Sequence, residues 1–406
     1  MANESNQPES SADPNSAQTP DATQTPDATE SDAPPTVGER RVQVEYTYSD
    51  DFVPILQHIK SSLLVTTYAA GKLLAISARD NKLQIDFSNY MQAMGIAAGR
   101  STIAIGGRNI VWMLQNGGAL AGQISPAGRF DICYLSREAF ITGEIHCHEL
   151  AWSAENELWV VNTLFSCLCT LHADFNFVPR WQPKFITQLA AEDRCHLNGL
   201  AMVDAQPRFA SAMGETNAAR GWRENKANGG IIIDIPSNEI IARGLCMPHS
   251  PRWYLGKLWA LDSGKGQLVT IDISNGKIET VVEIPAYVRG LAFCGQFAFV
   301  GMSQARERSV FGGVPICDDQ RRDQLRCGVA VVDLNSGNAV AFLQFKTGIG
   351  EIFDVQVLPG YTSPFLSGPY PQDDESIPVW VVPEPGKVKS LMETSELGSV
   401  ARSKRT

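Results

Sequence analysis

CHLNGLAM, residues 195–202, is the stretch on which the fold turns. Related phrases recur as MQAMGIAA (91–98), HCHELAW (146–152), MPHSPRWY (247–254) and AYVRGLAF (286–293), with a looser sixth, GEIFDVQVL, at 350–358. Each is a short apolar run with a polar lead-in, and most are followed after a turn by a second apolar run. Irregular self-similarity of this size marks a β-propeller or a solenoid. Amphipathic helical periodicity is nearly absent, which sets helical solenoids aside.

A second repeat interleaves with the first. IIIDIPSNEIIARGL (231–245), LVTIDISNGKIETVVEI (268–284) and VAVVDLNSGNAVAFLQF (329–345) each carry an apolar strand, an Asp (234, 272, 333), a tight polar turn and another apolar strand. Asn275-Gly276 is a strong hairpin turn, since both residues tolerate positive φ. Phrase, second run and hairpin make four strands per unit, and six phrases make six blades. The first blade, starting at SLLVTTY (62–68), lacks a phrase, whereas the last phrase lacks a blade. The expected fold is therefore all-β, a six-bladed β-propeller over 45–360. Its C-terminal strand closes the ring as the innermost strand of blade one, which removes an open sheet edge.

Outside that body, residues 1–40 are an acidic, Pro/Ser/Thr-rich tail in which QTPDAT occurs twice in succession. It has almost nothing to bury and is expected to be disordered. Residues 361–385 are expected to be irregular, with PVWVVP (378–383) as a possible edge strand, and 386–406 to be a loose tail. The net charge of −10 argues against nucleic-acid binding, which needs a basic surface. No secretory signal and no run of eighteen apolar residues is seen, so no membrane association is expected. Nine scattered cysteines without a C-x-x-C pair suit reduced thiols and a cytoplasmic location.

Propeller topology brings the lead-ins of all six phrases to one mouth of the central channel. Taking the Gly of GLA as zero, the residue three earlier is Gln92, His146, His196, His249, Tyr287 or Glu351. One residue before zero stand Met94, His148, Asn198, Pro251, Arg289 and Phe353. The second runs end on the same face with Thr67, Asn162, Glu215 and Asp262. His146, His196 and His249, with His148 as an alternative to His146 and with Glu351, could hold one divalent metal: Zn, Mn, Fe or, through the carboxylates, Ca. Gln92, Asn162, Asn198, Arg252, Tyr287 and Arg289 are candidate ligand-binding residues. Two long loops, 216–230 with Arg220 and 304–326 with Arg306, should overhang the mouth with positive charge suited to an anion. A polar lining that is merely structural stands beside both readings.

LLVTTYAAGKL, HLNGLAM, GETN (214–217), MPHSPRW and RGLAF together resemble a bacterial conserved-hypothetical propeller family known only as a domain of unknown function. The resemblance covers about residues 45–360 and implies a six-bladed propeller without supplying an activity. A more distant resemblance is to gluconolactonase and regucalcin, six-bladed propellers with a channel-mouth metal on Glu, Asn and Asp. It implies such parts for Glu351, Asn162, Asn198 and Asp262, but the histidines depart from it. Three functions follow as expectations. One is a propeller binding a small anionic molecule, with or without a divalent metal. Another is a metal-dependent hydrolase or lyase on a sugar-derived or lactone substrate, with Glu149, Glu215 or Asp262 as base. The third is a scaffold for a protein partner with an inert channel.

Overall fold

Ser61–Thr67 is buried along its whole length, and its alternate residues serve two different neighbours. Leu63 and Val65 pack with Phe297, Phe299 and Val329 of the last blade, whereas Leu64 packs with Ile96, Ile103 and Leu114 of the second. Successive strand side chains point to opposite faces, so a strand apolar on both faces needs a sheet on either side. Repeated around the chain, that requirement is met by a closed ring. Each fully buried Val, Leu or Ile contributes about 1.5–3 kcal/mol.

The computed structural model describes residues 43–304, 313–318, 323–370 and 379–382. It is a six-bladed, all-β propeller. The innermost strands are Asp354–Pro359, Ile96–Ala98, Cys147–Trp152, Leu197–Val203, Pro248–Tyr254 and Tyr287–Cys294, in blades one to six. Asp354–Pro359 runs antiparallel to Ser61–Thr67, with Val357 opposite Leu63 and Val355 opposite Val65. The C-terminal strand therefore closes blade one as expected. In the outer hairpin of blade five, the Asp272 carboxylate accepts from Ser274 N (2.8 Å) and Asn275 Nδ2 (2.8 Å), holding the turn in which Gly276 takes φ +74°.

Two elements differ from the expectation. Residues 379–382 carry no strand; the added edge strand of blade two is Pro364–Ser367, parallel to Ile132–Ile141. Asp131 fixes it by accepting from Ser363 N (3.1 Å), and Phe365 and Val379 pack on Ile124 and Phe130. A helix, Phe52–His58, also precedes blade one and buries Phe52, Val53, Ile55 and Leu56 between blades one and six. Its single apolar face is too short to register as a helical repeat.

The inner strands close on one another through an alternating device. In blades two, four and six the zero position is Gly95, Gly199 or Gly290. A Cβ at Gly199 would lie 2.3 Å from Pro251 Cδ, and one at Gly290 would lie 2.6 Å from Val355 N. In blades one, three and five the same position is polar and accepts a backbone N–H from the next blade. Asp354 accepts from Ile96 N (2.9 Å), Glu149 from Leu200 N (3.2 Å) and Ser250 from Gly290 N (3.1 Å).

Gly199→Ala should therefore destabilise the protein by about 2–3 kcal/mol through overpacking. Gly122→Ala, where nothing lies within 4 Å of the new methyl, should change stability by less than about 0.5 kcal/mol. Chemical denaturation of both variants checks this; equal midpoints would contradict the close approach.

Candidate functional site

Four of the six polar lead-ins turn into their strands through a non-glycine residue with left-handed backbone. His146 (φ +54°), His196 (φ +49°) and Met247 (φ +52°) stand immediately before the inner strands of blades three, four and five, and Gln92 (φ +51°) leads into blade two. Non-glycine residues hold this conformation only where their surroundings impose it. The register in blade five thus differs from the one read along the chain. Ser250 is also left-handed (φ +49°), and a bulge lies between His249 and Arg252. The blade-five residue matching His146 and His196 is Met247, and the residue matching His148 is His249.

The position before zero forms the inner ring of the mouth: Met94, His148, Asn198, His249, Arg289 and Phe353. The ring planes of His148 and His196 meet edge to face with centroids 4.9 Å apart, and His148 lies 5.4 Å from Phe353. Arg289 Cζ sits 3.3 Å above the Phe353 ring, a cation–π contact. His249 meets Tyr287 at 5.8 Å. The loop after the second strand of blade four returns to the mouth through Trp222, 4.5 Å from His196.

Hydrogen bonding decides where the imidazole protons sit. His148 Nδ1 is 3.1 Å from His146 O and 2.8 Å from Thr163 Oγ1. A carbonyl only accepts, and Thr163 donates its own hydroxyl to Leu197 O (2.6 Å), so Nδ1 carries the proton. His249 repeats this with Met247 O (3.0 Å) and Ser263 Oγ (2.9 Å). His196 Nδ1 donates to the Asp193 carboxylate (2.8 and 3.1 Å), which also accepts from Trp222 Nε1 (3.0 Å). In all three rings Nε2 has no hydrogen-bond partner among the described residues. Burial, then the charge of Arg289, hold His148 and His249 well below the ordinary imidazole range. Burial, then Arg108, also lowers His146.

Beneath the mouth lies a buried ion cluster. Arg252 pairs with Glu149, donates through Nε to Leu291 O (2.9 Å) and lies 3.8 Å from Asp354 Oδ1. Burial pushes Asp354 up, and burial with the nearby Asp354 charge pushes Glu149 up against the pull of Arg252.

Most of the other sequence candidates have partners outside the histidine cluster. Asn198 donates to Pro248 O (2.9 Å) and accepts from Ser211 Oγ (2.6 Å), tying blades four and five. Asn162 accepts from Phe165 N (3.0 Å), while its buried Nδ2 has no partner among the described residues. Asp262 accepts from Cys246 N (2.7 Å) and pairs with Lys265 (2.7 Å). Glu215 pairs with Arg243 at the surface, and Glu351 accepts from Ala69 N (2.8 Å). Gln92 donates to Tyr68 Oη (2.9 Å), and Arg220 is exposed. Arg306 lies outside the described residues. Among the described residues, no three His, Cys, Asp or Glu side chains converge to hold a metal ion. A separate open cavity of about 980 Å³, lined by Phe87, Ile124, Phe130, Phe365 and Trp380, lies on the outer side of blades one and two and shares no residue with the mouth.

Asp193, Thr163 and Ser263 were not among the sequence candidates. The signal for two of them is a hydroxyl directly after the second strand, following Asn162 in blade three and Asp262 in blade five.

Fold and mouth together define a six-bladed β-propeller with a histidine-lined axial opening above a buried ion cluster. The chain belongs to the family described as "Domain of unknown function (DUF4915)", whose model matches residues 50–366. No curated protein matches it. Among solved structures, a protein of unknown function from Bacteroides caccae is similar at 10% identity and TM-score 0.47, covering 73% of this chain and 98% of that one. A nidogen/laminin complex is similar at 11% identity and TM-score 0.43, covering 74% and 99%. Virginiamycin B lyase from Staphylococcus aureus is similar at 12% identity and TM-score 0.36, covering 70% and 75%. These values carry no argument about activity.

Because the folded protein holds His148 and His249 below the unfolded imidazole value of 6.5, the unfolded state binds more protons in acid. Their contribution to stability is present above that value and is lost as pH falls below it. The raised Glu149 and Asp354 act with the opposite sign, which makes the comparison with a variant necessary. His148→Asn/His249→Asn should lose less stability than the wild type between about pH 7 and pH 5 in denaturant titrations. Parallel pH profiles would contradict the assignment.

Proposed function

We propose that the mouth binds a small anion, with Arg289 as its anchor. One observation carries the reading: Arg289 Nη2 is buried and has no hydrogen-bond partner among the described residues, nor does its guanidinium form an ion pair there. A buried donor left unpaired costs about 1–3 kcal/mol, more when charged, and an arriving carboxylate or similar anion removes that cost. Arg289 stays protonated although burial draws it below the usual guanidinium range. Phe353 beneath it and the neutral rings of His148 and His249 beside it supply no countercharge, and Glu351, Asp354 and Glu149 act on it only through space. Arg252, in contrast, already has Glu149 and serves the scaffold.

A metal-dependent hydrolase or lyase on a sugar-derived or lactone substrate is the second reading. It is favoured by the pinned Nδ1–H groups, which are the usual way a protein orients a metal-ligating imidazole. A guanidinium in the same opening opposes it. No helix among the described residues is long and apolar enough to cross a membrane, and the nine cysteines are free, which fits a reducing compartment.

Calorimetric titration with acetate, glycerate and sulfate, before and after chelation, tests both readings. Arg289→Gln should weaken anion binding about tenfold or more without lowering the stability of the unliganded protein. Binding that survives Arg289→Gln would remove the anion reading. Binding lost on chelation and restored by Zn²⁺ would favour the metal.

A further inference from the structure

We infer that the ligand class of the mouth is a hydroxy-carboxylate, an anion carrying at least two hydroxyl groups, held by Arg289 at its carboxylate and by His148 and His249 at its hydroxyls. The inference rests on the anion-binding reading of Arg289 and goes on to the other walls of the same opening.

Donor and acceptor count distinguishes the possible ligands. Nδ1 of His148, His196 and His249 is committed as a donor, to His146 O and Thr163, to Asp193, and to Met247 O and Ser263 respectively. What the neutral His148 and His249 rings offer a ligand is Nε2, an acceptor only in this tautomer. Arg289 Cζ lies 3.3 Å from the centre of the Phe353 ring, His148 lies 5.4 Å from that ring and meets His196 at 4.9 Å, and His249 holds the position matching His148 in blade five, so the four groups share one opening.

A sulfate, or a carboxylate on a bare alkyl chain, has only acceptors at neutral pH. It would satisfy Arg289 while setting its lone pairs against those of the imidazoles. Hydroxyl groups beside the carboxylate reverse that: each donates to an Nε2 and leaves no lone pair facing another. A site built to hydrogen-bond a hydroxyl discriminates strongly against analogues lacking it, because its own buried polar groups are then left unpaired. Asp193 reinforces the wall of the opening, since a carboxylate shared by His196 Nδ1 and Trp222 Nε1 fixes the orientation of both rings.

Calorimetry on the full chain at about pH 7.5, where both depressed imidazoles are neutral, tests it with glycerate and gluconate beside propionate, hexanoate and sulfate. The hydroxy acids should bind about tenfold or more tightly than their hydroxyl-free counterparts. This comparison uses the native protein and needs no variant. His148→Asn and His249→Asn, which Asn198 at the matching position of blade four shows the strand accommodates, should shrink that advantage, weakening glycerate and gluconate while propionate binds no more weakly than to the native protein. Equal affinity for propionate and glycerate, both abolished by Arg289→Gln, would overturn the inference and leave the anion site standing. Sulfate binding best, unaffected by either histidine variant, would overturn it as well. If no anion binds, or Arg289→Gln changes nothing, the anion reading fails and the inference with it.

Discussion

Six inner strands must approach one axis closely enough to touch, and the zero position of the repeated phrase is where they do. Three glycines leave room for the next blade's inner strand, and three polar residues between them accept backbone N–H groups of the next blade. Neither half works alone. Side chains on all six strands would hold the blades apart, and six glycines would leave the inner N–H groups of blades two, four and six without acceptors at the axis. Carrying charge into this constriction is expensive, and Arg252 reduces the cost by neutralising Glu149 and lying beside Asp354. The cluster links blades three, five and one, the same three that carry the polar residues.

The mouth inherits its geometry from that constriction. Once the zero residue is held at the axis, the residue before it stands one step above, facing its counterparts from the other blades. His148, His249 and Arg289 occupy that step, and the left-handed residues before the strands set the angle at which the chain arrives. Burial and the guanidinium keep the two imidazoles neutral, and the carbonyls of His146 and Met247 select their tautomer. An opening with one fixed cation and two bare acceptor nitrogens is the result.

Much of the fold was legible in the chain because its repeats are local. The phrases mark inner strands, Asp234, Asp272 and Asp333 mark outer hairpins, and a surplus phrase at the C-terminus marks ring closure. The site was legible only in part. MPHSPRWY aligns with His249 three places before zero, but the bulge between His249 and Arg252 moves it to the inner ring, and spacing alone does not reveal a bulge. Glu215, Asp262 and Glu351 fell at the expected blade ends. Their partners Arg243, Lys265 and the Ala69 amide, which engage them, come from turns and strands whose proximity only the fold supplies. The acceptors that orient the imidazoles were hidden for the same reason: Thr163 and Ser263 are ordinary hydroxyls until the adjacent strand is placed beside them.

The central claim is that the inner ring presents neutral imidazoles with the proton on Nδ1 and a bare Nε2. Two-dimensional nitrogen–proton NMR on histidine-labelled protein at neutral pH reads this state directly for each ring, with His148→Asn and His249→Asn supplying the assignments. Both rings should show the Nδ1–H tautomer, and neither should titrate near the ordinary imidazole value. An Nε2–H tautomer or an imidazolium at either position would contradict the account, because the mouth would then offer donors where acceptors have been assigned.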